Sequence, residues 1–327
     1  MTCPQRYGLR KNMYVEPLDG PMRIAVTGAA GMIGTALVNN ALGEGHEVIA
    51  IVRPGSKTKF LVSEKLKVVE CDVSRYSGIM KRERCKVFFH LAWEKSYTYE
   101  RDDVRAQMKN VEHTIDAVEL AHSWKASVFV GAGSQAEYGK KDEKLCSSTR
   151  TDPTSGYSIA KYSAGKFSRI RCEQLGIRHC WARILSVYGE GDAPYTLIPY
   201  LIDTLMKGDV PELTRCEQIW DYIYSHDAAR ALFMIGLHGK DGKTYCIGSG
   251  DNRPLKDYVC DVRDAIDPTL ELRFGVKDYY PHQPMMLCAD ISELTKDTGF
   301  VPKYSFKEGI ARTVKYTKDQ KSIQRKD

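Results

Sequence analysis

The chain has 327 residues, 43% hydrophobic and 28% charged, enough to bury one large core or two modest ones. Its net charge of +6 is spread along the sequence, which favours an anionic small-molecule ligand and gives no support to nucleic-acid binding. No apolar run is long enough for a membrane span, and ten scattered cysteines without paired spacing point to reduced thiols in a cytoplasmic protein, with no metal site.

Residues 1–21 hold Arg6, Arg10, Lys11 and three prolines but no apolar h-region, and read as an N-terminal extension. A buried strand is expected over Ile24–Thr27, followed by Gly28, Gly31 and Gly34, then helix from Thr35 to Leu42. Strand, glycine turn and helix together aim backbone N–H groups at a diphosphate. The spacing is GxxGxxG, which a plain strand-to-helix turn could also use. A dinucleotide there would be lined by Gly28, Ala30, Gly31, Met32, Ile33 and Gly34.

Glu47–Val52 reads as the second strand, and its end is where such folds choose their cofactor. Arg53 stands there in place of an acidic residue, with Ser56 and Lys57 beyond, so NADP is expected and NAD is the alternative. Arg53 could equally be a solvated loop charge. Lys67–Glu70 reads as the third strand; Asp72, beside Val73, could accept from an adenine amino group or cap a helix starting near Ser74. Lys86–Ala92 is the fourth strand, placing Leu91, Ala92 and Trp93 at the ligand-binding edge. Helix is expected over 102–123, with Val104, Met108, Val111, Ile115 and Val118 as its core stripe and Ala106, Ala117 and Ala121 on other sides, free to meet a second subunit.

Ser127–Gly131 is the fifth strand and leads to Ser134; helix follows from Tyr157 to about Leu175. Tyr157 and Lys161, at i and i+4, share one helical face. A free tyrosine titrates near ~10 and a neighbouring ammonium lowers such a value by roughly one to three pH units. Alone, the pair could be a solvated surface contact. After a glycine turn and a Gly-Ser strand end, it reads as an acid/base with Ser134 holding the same substrate oxygen.

Gly28-x-x-Gly31-x-x-Gly34, His90-Leu-Ala92, Asn110, Ser134-x-x-x-Tyr138-Gly139 and Tyr157-x-x-x-Lys161 occur in this order. With Arg183–Gly189, Asp221–Asp227 and Gly299–Pro302, the chain from Met22 to about Tyr316 resembles the extended, nucleotide-sugar-modifying branch of the short-chain dehydrogenase/reductase superfamily. The resemblance implies an α/β fold: a Rossmann-type doubly wound parallel sheet with a smaller α/β C-terminal substrate domain. It divides the chain into 22–185 for the dinucleotide, with 213–248 partly returning to it, and 186–316 mostly for substrate; 317–327 would be a frayed basic tail. It assigns Tyr157 as acid/base, Lys161 as its modulator and ribose ligand, Ser134 as holder of the reacting oxygen and Asn110 as support. Homodimers would form through the 102–123 and 156–175 helices.

Four departures bear on the activity. Gln135 and Ala136 follow Ser134 where the family's 4,6-dehydratases place Asp and Glu, and Glu137 comes one residue late, aimed elsewhere on an extended strand. Ser186 replaces a common substrate-binding Asn. Trp220 stands where an Arg often binds diphosphate, and is either core or a stacking surface for the substrate. No Arg lies within 275–290, leaving Arg215, Arg273 or Lys277 to supply the charge. Trp93, Ser134, Gln135, Ser186, Arg215 and Trp220 are therefore the substrate candidates. The expected function is NADP-dependent reduction of a nucleotide-activated 4-keto-6-deoxy sugar. The alternatives are a 4-epimerase with tightly bound NAD, a reductase of a non-nucleotide carbonyl, and a non-catalytic NAD(P) sensor or scaffold.

Overall fold

A computed structural model describes residues 20–79, 83–281 and 283–324, so the extension expected at 1–21 lies almost wholly outside the described residues. In chain order the strands are β1 (Arg23–Thr27), β2 (Glu47–Val52), β3 (Leu66–Glu70), β4 (Val87–His90), β5 (Val128–Ser134), β6 (Arg178–Ile184), β7 (Ser186–Tyr188), β8 (Ile219–Trp220), β9 (Tyr222–Tyr224), β10 (Lys243–Ile247), β11 (Arg253–Pro254) and β12 (Met286–Leu287). The helices are α1 (Met32–Gly43), α2 (Val104–Ser123), α3 (Gly156–Leu175), α4 (Leu197–Met206), α5 (Ser225–His238), α6 (Leu255–Ile266), α7 (Ser292–Thr298) and α8 (Phe306–Gln324).

Seven strands form one parallel sheet in the order β3-β2-β1-β4-β5-β6-β10. Its centre is buried on both faces, which is why β1 and β2 read as unbroken apolar runs. Alternation then sorts the side chains: Ile24 and Val26 pack toward α1 and α5, while Ala25 packs on the opposite face with α2. The result is a doubly wound α/β sheet whose order reverses between β1 and β4, where ligands of such sheets lie. A second core, with Leu201, Val259 and Ile310 of α4, α6 and α8 around Tyr188 and Tyr224, carries the smaller sheets β7-β9 and β11-β8-β12.

Three local expectations change. Only the C-terminal end of the expected core stripe of α2 reaches the core: Val118 is fully buried, Val111 and Ile115 are half-buried, and Val104 and Met108 are 60% and 63% exposed. Its inward face is Gln107, Asn110 and Thr114 followed by Ala117, Val118, Leu120 and Ala121, so Ala117 and Ala121 touch the sheet side and not a second subunit. Small and polar residues win there because α2 packs closely and its polar groups have partners waiting at the ends of the strands. Ser74 starts no α-helix; residues Val73–Ile79 form a 3₁₀ segment. The basic tail is not frayed from residue 317, since α8 continues to Gln324 and Lys321 bonds Asp203 at 2.8 Å.

Candidate active site

Gly28 follows β1 with φ +65°, and a Cβ on it would lie 2.7 Å from the Ala92 nitrogen. The loops after β1 and β4 therefore touch, and only glycine fits. A Cβ on Gly34 would meet the Gly28 carbonyl at 2.2 Å, so glycine also lets α1 start directly on the turn. Gly31 caps α1 without any side-chain hydrogen bond, leaving the first-turn N–H groups open toward the cradle. These features fit the diphosphate of a dinucleotide. Thr27 fixes the facing loop: its Oγ1 accepts from Leu91 N at 3.2 Å and Ala92 N at 3.3 Å. His90, pushed down to about 3 by burial, stays neutral between Thr27 and Thr114.

The next two strands bring in the chemistry. Ser134 ends β5, and α3 begins at Gly156 behind a Ser155 cap. Trp181 of β6 lies against Gly131, Gly133 and Gly165, where any Cβ would come within 2.7 Å of its ring atoms. That absence of side chains draws α3 down onto the sheet and sets Tyr157 and Lys161 beside Ser134. Lys161 is buried, donates to the Ala132 carbonyl at 2.8 Å, and lies 3.7 Å from the Trp93 ring centre. Burial pushes its ammonium down to about 7, with Glu137 opposing. Tyr157 is half-buried, with Trp93 edge-on at 6.0 Å. Its surroundings push the phenol up, against lowering influences from the Ser134 hydroxyl and Arg101. The lowering expected from Lys161 at i+4 is not among these influences: Ser134 and Arg101 supply it, and desolvation outweighs them.

Asn110 acts on the loop rather than on the reacting atoms. Its amide accepts from Glu94 N and donates to Glu94 O, both at 2.9 Å. Beside it Gln107 accepts from the Trp93 indole at 3.0 Å and donates to Lys95 O. Gln107 escaped the sequence reading because a polar residue on a helix looks solvent-facing until the loop it holds is known. Glu137 is not on an extended strand: residues Gln135–Tyr138 form a 3₁₀ turn capped by Ser134, and its carboxylate turns back under the sheet. There it accepts from Ser134 N, Trp181 Nε1 and Arg183 Nε at 2.8–2.9 Å.

On the substrate side, Ser186 and Trp220 form one unit, the indole donating to the Ser186 hydroxyl at 2.9 Å. Gln135 is half-buried at the turn after Ser134, and Arg215 is exposed. Arg273 is engaged by Glu271 at 2.8 Å. Arg53 stands exposed at the end of β2 with no ion pair among the described residues; Ala30, Met32 and Ile33 lie within the glycine turn and the first turn of α1, and Val73 follows Asp72 after β3. Asp72 accepts from both the amide and hydroxyl of Ser74 with one oxygen, which is the capping alternative. Asp221 and Asp227 are structural: they hold Ser249, Gly250 and Ala289, and Lys303 and Tyr304, respectively, by backbone N–H groups. Cys172, Cys180 and Cys246 are buried free thiols, and no metal-binding cluster occurs among the described residues. No described helix is long and apolar enough to cross a membrane.

The NAD dependent epimerase/dehydratase family model matches residues 24–248. A dTDP-glucose 4,6-dehydratase of Shigella flexneri is 26% identical over 335 residues, covering 90% of this chain and 92% of its own. CDP-abequose synthase of Salmonella typhimurium is 25% identical, covering 89% and 97%. The structure of a UDP-N-acetylglucosamine 4-epimerase from Methanobrevibacter ruminantium superposes with a TM-score of 0.82 at 23% identity, covering 92% and 99%.

Proposed function

The chain belongs to the NAD dependent epimerase/dehydratase family, and on that premise we propose that it reduces a nucleotide-activated 4-keto-6-deoxy sugar with NADPH. The observation that carries this is the gathering of Ser134, Tyr157 and Lys161 at the same sheet edge as the glycine cradle. When bound, the dinucleotide would supply the hydride; Gly28, Gly31 and Gly34 would hold its diphosphate, and Lys161 its ribose. Tyr157 Oη gives its proton to the carbonyl oxygen as charge develops there, and the Ser134 hydroxyl donates to that oxygen. Elimination of water is disfavoured because Gln135 and Ala136 offer no acid, and Glu137 is committed to Arg183. Trp93, Gln135, Arg215 and the Ser186–Trp220 unit are assigned to the sugar nucleotide.

Arg53, exposed and without an ion pair among the described residues, is assigned to the 2′-phosphate of NADP, and the second carboxylate oxygen of Asp72 to the adenine. A screen of sugar nucleotides for NADPH oxidation tests the whole assignment. Turnover of a 4-keto sugar is expected, and Arg53→Glu should lower the kcat/KM preference for NADPH over NADH by roughly 10–100-fold, the worth of a hydrogen bond to a charged group. Tightly retained NAD, with epimer interconversion and no NADPH consumption, would replace the reductase by a 4-epimerase.

We also propose a homodimer through α2 and α3. Val104 and Met108 on α2 and Ile159, Phe167 and Ile170 on α3 are each more than half exposed, an apolar face spread over two packed helices. Light scattering should report twice the chain mass, and Met108→Asp combined with Phe167→Asp should halve it. A wild-type monomer at micromolar concentration ends the idea.

A further inference from the structure

Arg101 lies outside the motifs that carry the resemblance, yet it covers Tyr157. Its guanidinium carbon is 4.2 Å from the centre of the phenol ring. The residue sits in the 3₁₀ segment Thr98–Asp102, and that segment is tied to the start of α3 by Asp102, which accepts from Gly156 N at 2.9 Å. The Gly156 side is close as well, since a Cβ there would stand 3.2 Å from the Arg101 carbonyl. Arg101 makes no ion pair among the described residues, and its buried Nε has no hydrogen-bond partner. A half-buried guanidinium of this kind is ordinarily held by a carboxylate. Here the ring face of Tyr157 is the group it meets.

We propose that Arg101 is a positioning residue that holds the Tyr157 ring in place and stabilises the phenolate left after proton donation. The physical basis is that a phenolate spreads its negative charge into the ring, so a cation on the ring face gains attraction as the proton leaves. Lys161 stands farther off, its ammonium 5.9 Å from the ring centre and engaged by the Ala132 carbonyl, and burial disfavours its charged form. A guanidinium stays charged throughout. The other groups facing Tyr157 are Ser134, which lowers the phenol with Arg101, and Glu137 and Tyr97, which raise it. Trp93 meets the ring edge-on and is neutral. Arg101 is thus the one permanent cation in direct contact with the proton donor among the described residues.

The inference rests on Tyr157 being the proton donor, but its test needs no substrate. The full chain is labelled with 3-fluorotyrosine, and the Tyr157 resonance is assigned by its loss in Tyr157→Phe. Its titration midpoint is then compared in the wild type, Arg101→Met and Arg101→Lys. Arg101→Met is expected to raise the midpoint by about one pH unit or more, the effect of removing an opposite charge at this range. Arg101→Lys should fall between the two, because an ammonium keeps the charge but stacks poorly. An Arg101→Met midpoint within experimental error of the wild type, in a protein with unchanged thermal midpoint, overturns the inference. So does a Lys variant indistinguishable from the Met variant. A sugar-nucleotide screen without turnover would instead defeat the reductase assignment and leave this coupling standing.

Discussion

Tyr157→Phe is expected to lower turnover by ~10²–10⁴-fold, the usual worth of one positioned proton donor, with dinucleotide affinity nearly unchanged. The substitution deletes only Oη. The ring would keep its edge contact with Trp93 and its face contact with Arg101, so the site should hold its shape. Lys161, whose bond is to the Ala132 carbonyl and not to Tyr157, should remain able to serve the ribose. Steady-state NADPH oxidation together with cofactor-binding fluorescence separates the two quantities. Turnover surviving within a few-fold of wild type would remove Tyr157 from the chemistry and revive the non-catalytic alternative.

The direction in which Tyr157 is displaced suits reduction. The proposed reduction uses the phenol in its protonated form, and desolvation favours that form further. An epimerase must also run the reverse step, which starts from the phenolate and depends more heavily on added positive charge. Ser134 and Arg101 oppose the rise without cancelling it. Under the proposed assignment Arg53 would work in the same sense at the adenosine end of the cofactor, since net reduction is normally served by the phosphorylated dinucleotide.

The cradle and the Tyr157–Lys161 pair were legible in the sequence because both depend on local chemistry at fixed spacing. A glycine required by contact with a neighbouring backbone, such as Gly28 or Gly34, leaves its mark whatever surrounds it. What surrounds α2 left no such mark. Its Val104–Val118 stripe is apolar at helical period, but period alone does not say how far along the helix the stripe meets the sheet, and only Val118 is fully buried. The polar inward face depends on His90 and on the 93–95 loop, which come together with α2 only in three dimensions. Arg101 was invisible for the same reason, since its target lies more than fifty residues away in sequence. The reach of α8 to Gln324 was hidden by composition: a basic run looks solvated, yet Lys321 has Asp203 beside it.

Glu137→Ala is expected to cost about 3–5 kcal/mol of unfolding free energy, as removal of one member of a buried ion pair does. Glu137 is 1% exposed and Arg183 5%, so neither charge can turn to water when the other is lost. The substitution would strand the Arg183 guanidinium, the Trp181 indole N–H and the Ser134 amide together. Gln retains an acceptor for the latter two while leaving Arg183 without its counter-charge, and should cost less, about 1.5–3 kcal/mol. Urea unfolding of the two variants gives both values. The comparison also tests the role of the residue, because a carboxylate used as an acid in the reaction would lose turnover in Glu137→Gln with stability intact. A loss of stability that precedes any loss of turnover per folded molecule is the expected order. Glu137→Ala unfolding at the wild-type urea midpoint would mean that Arg183 finds another partner and that the turn after Ser134 does not depend on this ion pair.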